Sequence, residues 1–184
     1  VNPEFIPQFK EVLAKYDLKL VGINQHIGSL FMDGKPYVEG VKAILNIAKQ
    51  FDDLEFVDLG GGFGIPYEKL NDQPRLDMVE LGKQLDEVFE QFVKDYGKEI
   101  TFKIEPGRYV SAECGVLLGT VTAVKHNGED KYIGTDIGFN VLQRPVMYDS
   151  HHDIEVYNDS DNTEDVTVVG NICESGDILA KHRI

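Results

Sequence analysis

The sequence predicts an α/β region followed by an antiparallel β region, and three observations lead to this prediction. In the first part, apolar residues recur at helical spacing in some segments and form short strand-like runs in others. These helices and strands alternate along the chain, which implies right-handed crossovers and a parallel sheet. After Gly115 the strand candidates follow one another without helices between them.

Three helices and three strands are predicted in the first part. Asn2-Pro3 indicates a helix start, because a capping side chain precedes a proline at the first helical position. Gly97 indicates a C-cap for the third helix. The predicted elements are a helix from Asn2-Pro3 to about Tyr16, a strand over 18–23, a helix over 36–51, a strand over 54–59, a helix over about 75–96 and a strand over 100–104.

The stretch Asp58-Leu-Gly-Gly-Gly-Phe-Gly64 follows the second strand. Its glycines exclude a strand or a helix interior and allow main-chain N–H groups to approach a ligand without an intervening Cβ. Such groups after a strand suit a phosphate; a tight turn that binds nothing is the alternative. The dinucleotide-binding pattern G-x-G-x-x-G is excluded, because its third glycine would fall at Ile65 or Tyr67.

The residues with functional potential all follow predicted strands: His26 and Ser29, then Gly60, Gly61 and Gly62, then Glu105 and Arg108. The predicted strands begin near residues 18, 54 and 100, a spacing typical of a (β/α)₈ barrel, in which such positions share one mouth. A whole barrel takes about 250 residues. We therefore expect residues 1–110 to be the later part of a barrel, and the chain to be a fragment of a longer protein.

Residues 111–184 are predicted to be the start of a β domain. The strand candidates are 116–125, 132–136, 152–157 and 166–169, and Asn127-Gly128 is a hairpin turn signal.

Composition excludes several classes of function. The formal net charge of -14 argues against nucleic acid or an anionic membrane as a partner. The sequence contains no apolar run of membrane-spanning length, and we expect no signal peptide. Cys114 and Cys173 form neither a disulfide framework nor a zinc-site spacing, so we expect a cytoplasmic protein.

Side chains after the third strand suit a cofactor that carries a phosphate. A carboxylate at Glu105 can hold a heterocyclic nitrogen protonated, although a salt bridge to Arg108 is the alternative. The Pro106-Gly107 turn offers N–H groups to a phosphate, and the planar fork of Arg108 suits phosphate or carboxylate. His26 can stack on a flat cofactor, or it is a hydrogen-bonded core residue.

Further candidates lie in the second region. Arg144 and Tyr148 can bind a substrate carboxylate, or they form a surface salt bridge and a packing contact. Cys173 is a candidate proton donor on a glycine-containing loop; a buried, inert thiol is its alternative and is the expectation for Cys114. The run His151-His152-Asp153 has no second ligand group at a suitable spacing, so we expect no metal site.

Five motifs, in this order, resemble those of diaminopimelate decarboxylases, which belong to the pyridoxal-phosphate decarboxylases with an alanine-racemase-type barrel. The motifs are His26-Ile-Gly-Ser29, Gly60-Gly-Gly62, Glu105-Pro-Gly-Arg108, Arg144-Pro-x-x-Tyr148 and Cys173-Glu-Ser-Gly-Asp177. The resemblance extends along essentially the whole chain. It implies pyridoxal 5'-phosphate as the cofactor and decarboxylation of meso-2,6-diaminopimelate to L-lysine and CO₂.

The resemblance also implies a role for each site residue. His26 stacks on the pyridine ring, and Cys173 is the proton donor. These two residues are the implied catalytic residues. The implied cofactor-binding residues are His26, Ser29, Gly60, Gly61, Gly62, Glu105, Pro106, Gly107 and Arg108. The implied substrate-binding residues are Arg108, Arg144, Tyr148 and Glu174, of which Glu174 meets the distal end of the substrate.

The resemblance further implies a homodimer with shared active sites, because the loop with Cys173 reaches into the partner's site in this family. The Schiff-base lysine is expected before the start of this chain, so we expect the isolated chain to be inactive. Three positions depart from the pattern common in diaminopimelate decarboxylases: Leu30, Val141 and His182.

Two alternatives to diaminopimelate remain. The same machinery can act on ornithine, lysine or a carboxylated polyamine precursor. In a different class of function, the protein is an inactive homologue that regulates a partner decarboxylase.

Overall fold

The computed structural model describes residues 2–158, 160 and 162–184, which form two compact units. Unit 1 comprises Val1–Ile65 and Pro74–Cys114, and unit 2 comprises Pro66–Gln73 and Gly115–Ile184. The segment Pro66–Gln73 thus belongs with the later part of the chain, which the sequence did not predict. The assignment of residues 1–110 and 111–184 to a barrel part and a β domain stays a prediction.

Unit 1 is a three-stranded parallel sheet flanked by helices. Its strands lie in the order β1-β2-β3, which is also their order in the sequence. The elements are a 3₁₀ helix Pro3–Phe5, α1 Ile6–Lys15, β1 Gly22–Asn24, α2 Lys35–Ala48, β2 Phe56–Gly61, α3 Met78–Tyr96, β3 Thr101–Glu105 and α4 Gly107–Ser111. The predicted mixed α/β character is confirmed.

The helix ends follow from local chemistry. The Asn2 side chain accepts a hydrogen bond from the Glu4 N–H at 3.1 Å, as an N-cap does. The third helix begins at Met78 and not near residue 75, because the Asp77 carboxylate caps it by accepting bonds from the N–H groups of its first turn. Gly97, with φ of 79°, ends this helix in the left-handed conformation that glycine tolerates best.

The core of unit 1 lies between the sheet and the helices α2 and α3. Burying an aliphatic or aromatic side chain of this kind contributes roughly 1.5–3 kcal/mol. The buried residues include Tyr37, Val41, Leu45, Leu54, Val57, Leu59, Leu81 and Phe92.

The second strand continues into the glycine stretch, so the prediction that this stretch excludes a strand was wrong. Gly60 and Gly61 are part of β2, and the register with β3 shifts between Asp58 and Gly61. Gly60 has φ of 71°, and its N–H donates to Asp58 Oδ1 at 3.0 Å. A β-bulge with glycine in the left-handed region accommodates this sequence inside a strand.

Unit 2 contains a four-stranded sheet in the order β4-β5-β6-β7. Its elements are a 3₁₀ helix Lys69–Asn71, β4 Val121–Asn127, β5 Asp130–Thr135, α5 Arg144–Tyr148, β6 Val166–Val169 and β7 Ile178–Arg183. The hairpin predicted at Asn127-Gly128 is confirmed, and Gly128 has φ of 64°.

Two predictions for this region were wrong. The strands β5 and β6 pair in parallel, because a long connection that includes α5 lets the chain cross over before β6 starts. Residues 152–157 are not a strand. Within the described residues, no helix has the length and apolar character needed to cross a lipid bilayer.

Candidate active site

The loops after the three strands of unit 1 meet backbone to backbone. A Cβ added at Gly60 would lie 2.2 Å from the Gln25 carbonyl oxygen, and one at Gly61 would lie 2.0 Å from the Glu105 carbonyl oxygen. Only glycine allows so close an approach at these two positions. The glycines are therefore required for the packing of the protein's own backbone, while their contact with a phosphate stays a prediction.

The loop after β1 is also joined to the end of the glycine stretch. The Phe31 N–H donates to the Gly62 carbonyl at 3.0 Å, and the Gly64 N–H donates to the Phe31 carbonyl at 2.9 Å. A Cβ at Gly62, which has φ of 101°, would lie 2.2 Å from the Gly28 carbonyl oxygen. The first three motifs of the sequence are thus brought together at the carboxyl ends of adjacent strands, the edge of a parallel sheet where ligands bind.

An aromatic cluster, in which Tyr37 and Phe63 are buried and Phe31 is half-buried, contacts the glycine stretch. The rings of Phe31, Tyr37 and Phe63 lie 4.9–5.1 Å apart, and the Tyr37 hydroxyl donates to the Gly60 carbonyl at 3.4 Å. Burial, with a smaller contribution from the Asp58 carboxylate, raises the pKa of Tyr37 above its ordinary value. The hydroxyl therefore stays protonated and able to donate.

The predicted turn at Pro106-Gly107 is the start of a short helix. Gly107 is the first residue of α4, and the Val110 N–H donates to the Pro106 carbonyl at 3.1 Å. Arg108 lies in this helix and is half-buried. A Cβ at Gly107 would meet nothing within 4 Å, so open space adjoins this residue.

The edge presents a set of chemical groups that fits a flat heterocycle with a phosphate. His26, Ser29 and Glu105 are exposed, and Arg108 is half-buried beyond β3. An imidazole can stack on a ring, a carboxylate can bond a protonated ring nitrogen, and a hydroxyl and a guanidinium suit phosphate oxygens. The residues present therefore fit pyridoxal phosphate.

The last two motifs of the sequence lie together in unit 2. Arg144 and Tyr148 are the first and last residues of α5, four positions apart and hence on one side of the helix. This helix contacts β7. A Cβ at Gly176 would lie 3.3 Å from Val146 Cγ2, so α5 lies beside the Cys173–Asp177 loop.

A buried carboxylate fixes the base of that loop. Asp177 is only 3% exposed, and its two oxygens accept hydrogen bonds from the N–H groups of Phe139 and Ile172, both at 2.7 Å. A Cβ at Gly170 would lie 2.3 Å from this carboxylate, so only glycine fits there. The bond to Ile172 holds the backbone directly before Cys173, an anchoring role that sequence reasoning missed.

Both cysteines are free and exposed. The expectation of a buried, inert Cys114 was wrong, because this residue follows α4 in an exposed segment. The exposed Cys173 and its exposed neighbour Glu174 are available to a ligand.

The run His151-His152-Asp153 is used for internal contacts. His151 Nε2 lies 2.8 Å from Asp153 Oδ1, and His152 Nε2 lies 3.2 Å from Arg144 Nη1. Burial pushes the pKa of Asp153 upward, but hydrogen bonds from His151 and from backbone N–H groups outweigh it and hold this pKa below its usual value. In residues 2–158, 160 and 162–184, no three His, Cys, Asp or Glu side chains form a group that could hold a metal.

Comparison with known proteins identifies the family. Residues 16–184 match the family model described as "Pyridoxal-dependent decarboxylase, C-terminal sheet domain". A diaminopimelate decarboxylase of Archaeoglobus fulgidus is 39% identical over 98% of this chain, and one of Buchnera aphidicola is 38% identical over 92%. A crystal structure of diaminopimelate decarboxylase from M. jannaschii, in complex with L-lysine, covers 98% of this chain at 30% identity with a TM-score of 0.84.

The chain spans less than half the length of these proteins: 44% of the Archaeoglobus protein, 42% of the Buchnera protein and 42% of the crystallised chain. The match nevertheless covers most of the present sequence, and the matched residues 16–184 span the positions of all five motifs, so the family resemblance is confirmed. The chain belongs to the pyridoxal-dependent decarboxylase family.

Proposed function

We propose that the whole protein carrying this chain is a diaminopimelate decarboxylase, which converts meso-2,6-diaminopimelate to L-lysine and CO₂ with pyridoxal 5'-phosphate. One observation carries the proposal. The edge of unit 1 exposes His26, Ser29 and Glu105 together in a chain that is 38–39% identical to two diaminopimelate decarboxylases. The L-lysine in the complex from M. jannaschii is the expected product.

Residues of unit 1 would hold the cofactor. When bound, pyridoxal phosphate supplies an electron sink for the pair left on carbon as CO₂ departs. The Glu105 carboxylate would hold a proton on the ring nitrogen and so keep that sink strong. His26 would stack on the ring. Ser29 and the N–H groups of Gly60–Gly62 and Gly107–Arg108 would bind the phosphate.

Four side chains would hold the substrate. The guanidinium groups of Arg108 and Arg144 would bind carboxylate, helped by the Tyr148 hydroxyl. Glu174 would meet the distal ammonium group. The Cys173 thiol would return a proton to the carbon that has lost CO₂, which completes the replacement of a carboxylate by hydrogen.

We also propose that unit 1 supplies part of a (β/α)₈ barrel. Its strands are parallel neighbours in sequence order with helices between them, as in such a barrel. Each half of a Rossmann sheet has the same order of three strands, but the glycine stretch here lacks the Rossmann pattern G-x-G-x-x-G. The dimer with shared sites and the cytoplasmic location remain parts of the proposal.

The test is CO₂ release by the whole protein with pyridoxal phosphate, measured against meso-diaminopimelate, L-ornithine, L-arginine, L-lysine and D-lysine. We expect the highest kcat/KM with meso-diaminopimelate. A preference for L-ornithine would keep the family and overturn the substrate. No release from any of the five with cofactor bound would contradict the proposed activity.

A further inference from the structure

The guanidinium of Arg144 is held between two side chains of unit 2. Its Cζ lies 4.7 Å from the centroid of the Tyr67 ring, and its Nη1 lies 3.2 Å from His152 Nε2. The rings of Tyr67 and His152 meet edge to face with centroids 4.9 Å apart. The three side chains therefore form one contact group, and we call Tyr67 and His152 the Arg144 clamp.

The two contacts of the clamp restrict different motions. Contact with the face of an aromatic ring limits the tilt of the guanidinium plane. A hydrogen bond at one nitrogen limits rotation of the guanidinium within its own plane. Arginine has donors only, so His152 must accept at Nε2 and carry its proton on Nδ1. One donor of Arg144 is used in this way, and no further hydrogen bond of its guanidinium is found among the described residues, which leaves the other donors for a carboxylate.

The clamp is built from two segments that are tied together. Tyr67 lies in Pro66–Gln73, where its N–H donates to Gln73 Oε1 at 2.7 Å. In the same segment the Leu70 N–H donates to Asp153 Oδ2 at 3.1 Å. Asp153 directly follows His152, so this hydrogen bond links the segment that carries Tyr67 to the segment that carries His152. This accounts for the placement of Pro66–Gln73 with unit 2.

We propose that Tyr67 and His152 are positioning residues that present the Arg144 guanidinium in a fixed orientation to a carboxylate of the amino-acid substrate. The inference rests on the proposed function, which gives Arg144 that carboxylate as its partner. A side chain held before substrate arrives has less conformational freedom to lose on binding, which favours affinity. The clamp thus acts on substrate binding and not on the proton transfer at Cys173.

Two pairs of variants in the whole protein test the proposal. His152→Ala removes the acceptor and His152→Gln keeps one; Tyr67→Leu removes the aromatic face and Tyr67→Phe keeps it. We expect KM for meso-diaminopimelate to rise roughly tenfold in His152→Ala and Tyr67→Leu, with kcat little changed. The two conservative variants should stay close to wild type. Equal effects within each pair, or a loss confined to kcat, would overturn the positioning role.

A readout without turnover separates this inference from the proposed function. Phenylglyoxal modifies accessible guanidinium groups, and peptide mapping by mass spectrometry gives the rate at Arg144. We expect faster modification in His152→Ala and Tyr67→Leu than in wild type, His152→Gln and Tyr67→Phe. Arg75, which is bonded to Glu113 at 2.7 and 2.8 Å in unit 1, is the internal control.

The outcomes of the two experiments are distinguishable. Equal modification rates at Arg144 in all five proteins would overturn the clamp, whatever the substrate. Modification rates as expected, in a protein that fails to decarboxylate meso-diaminopimelate, would support the clamp and overturn the proposed substrate alone.

Discussion

At the residue scale, exposed candidate groups depend on buried anchors beneath them. Cys173 is exposed, but the loop that carries it is fixed by the Asp177 carboxylate. The glycines at the end of β2 are similarly supported by the buried hydroxyl of Tyr37. In each case a polar group removed from water is satisfied by backbone partners, as buried polar groups generally are.

Removing the Asp177 carboxylate should loosen the loop before Cys173. Asp177→Ala leaves the N–H groups of Phe139 and Ile172 without their acceptor, and we expect a loss of about 3 kcal/mol in the free energy of unfolding. Urea denaturation measures this loss. Alkylation of Cys173 by iodoacetamide in the native protein should also change in rate.

Asp165→Ala is the matched control, because this carboxylate is exposed. Within the described residues, its one ion-pair partner is His182, which is also exposed. We expect it to unfold close to the wild-type midpoint. Equal stability of Asp177→Ala and Asp165→Ala would show that the buried carboxylate does not hold the loop.

Sequence reasoning proposed the exposed residues of the candidate site but missed the residues that anchor them. Glu105 and Cys173 could be predicted because they stand at strand ends or in loops with a recognisable pattern. One of the two partners of Asp177, Phe139, lies 38 residues earlier in the chain. Such a contact depends on which loops meet in the fold, and no local sequence pattern predicts it.

At the element scale, the bulge in β2 explains why glycines occur inside a strand. The register shift between Asp58 and Gly61 brings the backbone of β2 against the carbonyl of Glu105. The glycine stretch therefore sets how closely the loops of the candidate site can approach. A side chain here would separate them.

Two glycine substitutions, one expected to lower the stability of the protein and one expected to raise it, test this role. In Gly61→Ala the new Cβ would lie 2.0 Å from the Glu105 carbonyl oxygen, so the backbone must shift, and we expect a loss of at least about 2 kcal/mol in stability. Gly82 lies on the exposed side of α3, where a Cβ meets nothing within 4 Å. Gly82→Ala should therefore stabilise the protein by about 0.5–1 kcal/mol. Thermal unfolding measures both; a neutral Gly61→Ala would contradict the packing role.

Helices and strands were predicted correctly where their apolar periodicity appears within a short stretch of sequence. Features that depend on distant parts of the chain were not predicted. The long helix α3 and the strand β3 show their apolar periodicity within a single window of sequence. The short helix α5 has too few residues for a period to appear. The parallel pairing of β5 with β6 depends on the path of the connection between them, and alternation of residues in either strand says nothing about that path.

At the scale of the whole molecule, both units expose large apolar side chains. Val110 belongs to unit 1, and Val116, Leu118, Val124 and Val156 belong to unit 2. Val116, Leu117 and Leu118 are consecutive and all exposed, and neighbouring large apolar side chains on a surface are typical of regions that other protein covers. In the proposal, a partner subunit of the dimer, or residues that correspond to the additional length of the relatives, would cover these side chains.

The proposed dimer predicts that two variants, each inactive alone, regain activity when they are mixed. If Cys173 serves the partner's site, mixed dimers of Cys173→Ala and Glu105→Ala contain one site with both residues intact. Random reassociation should then restore about a quarter of wild-type activity, because half of the dimers are mixed and each has one intact site.

Sedimentation velocity checks the assembly state in the same samples, and we expect the mass of two copies. A single-copy mass, or mixed dimers that remain inactive, would contradict the shared site.

The most direct test of the account is the product that the whole protein forms from meso-diaminopimelate in the presence of pyridoxal phosphate. Chromatography quantifies L-lysine while the released CO₂ is trapped and counted. We predict equal amounts of L-lysine and CO₂, with both lowered in Glu105→Ala. The absence of L-lysine from a protein that has bound the cofactor would contradict the account.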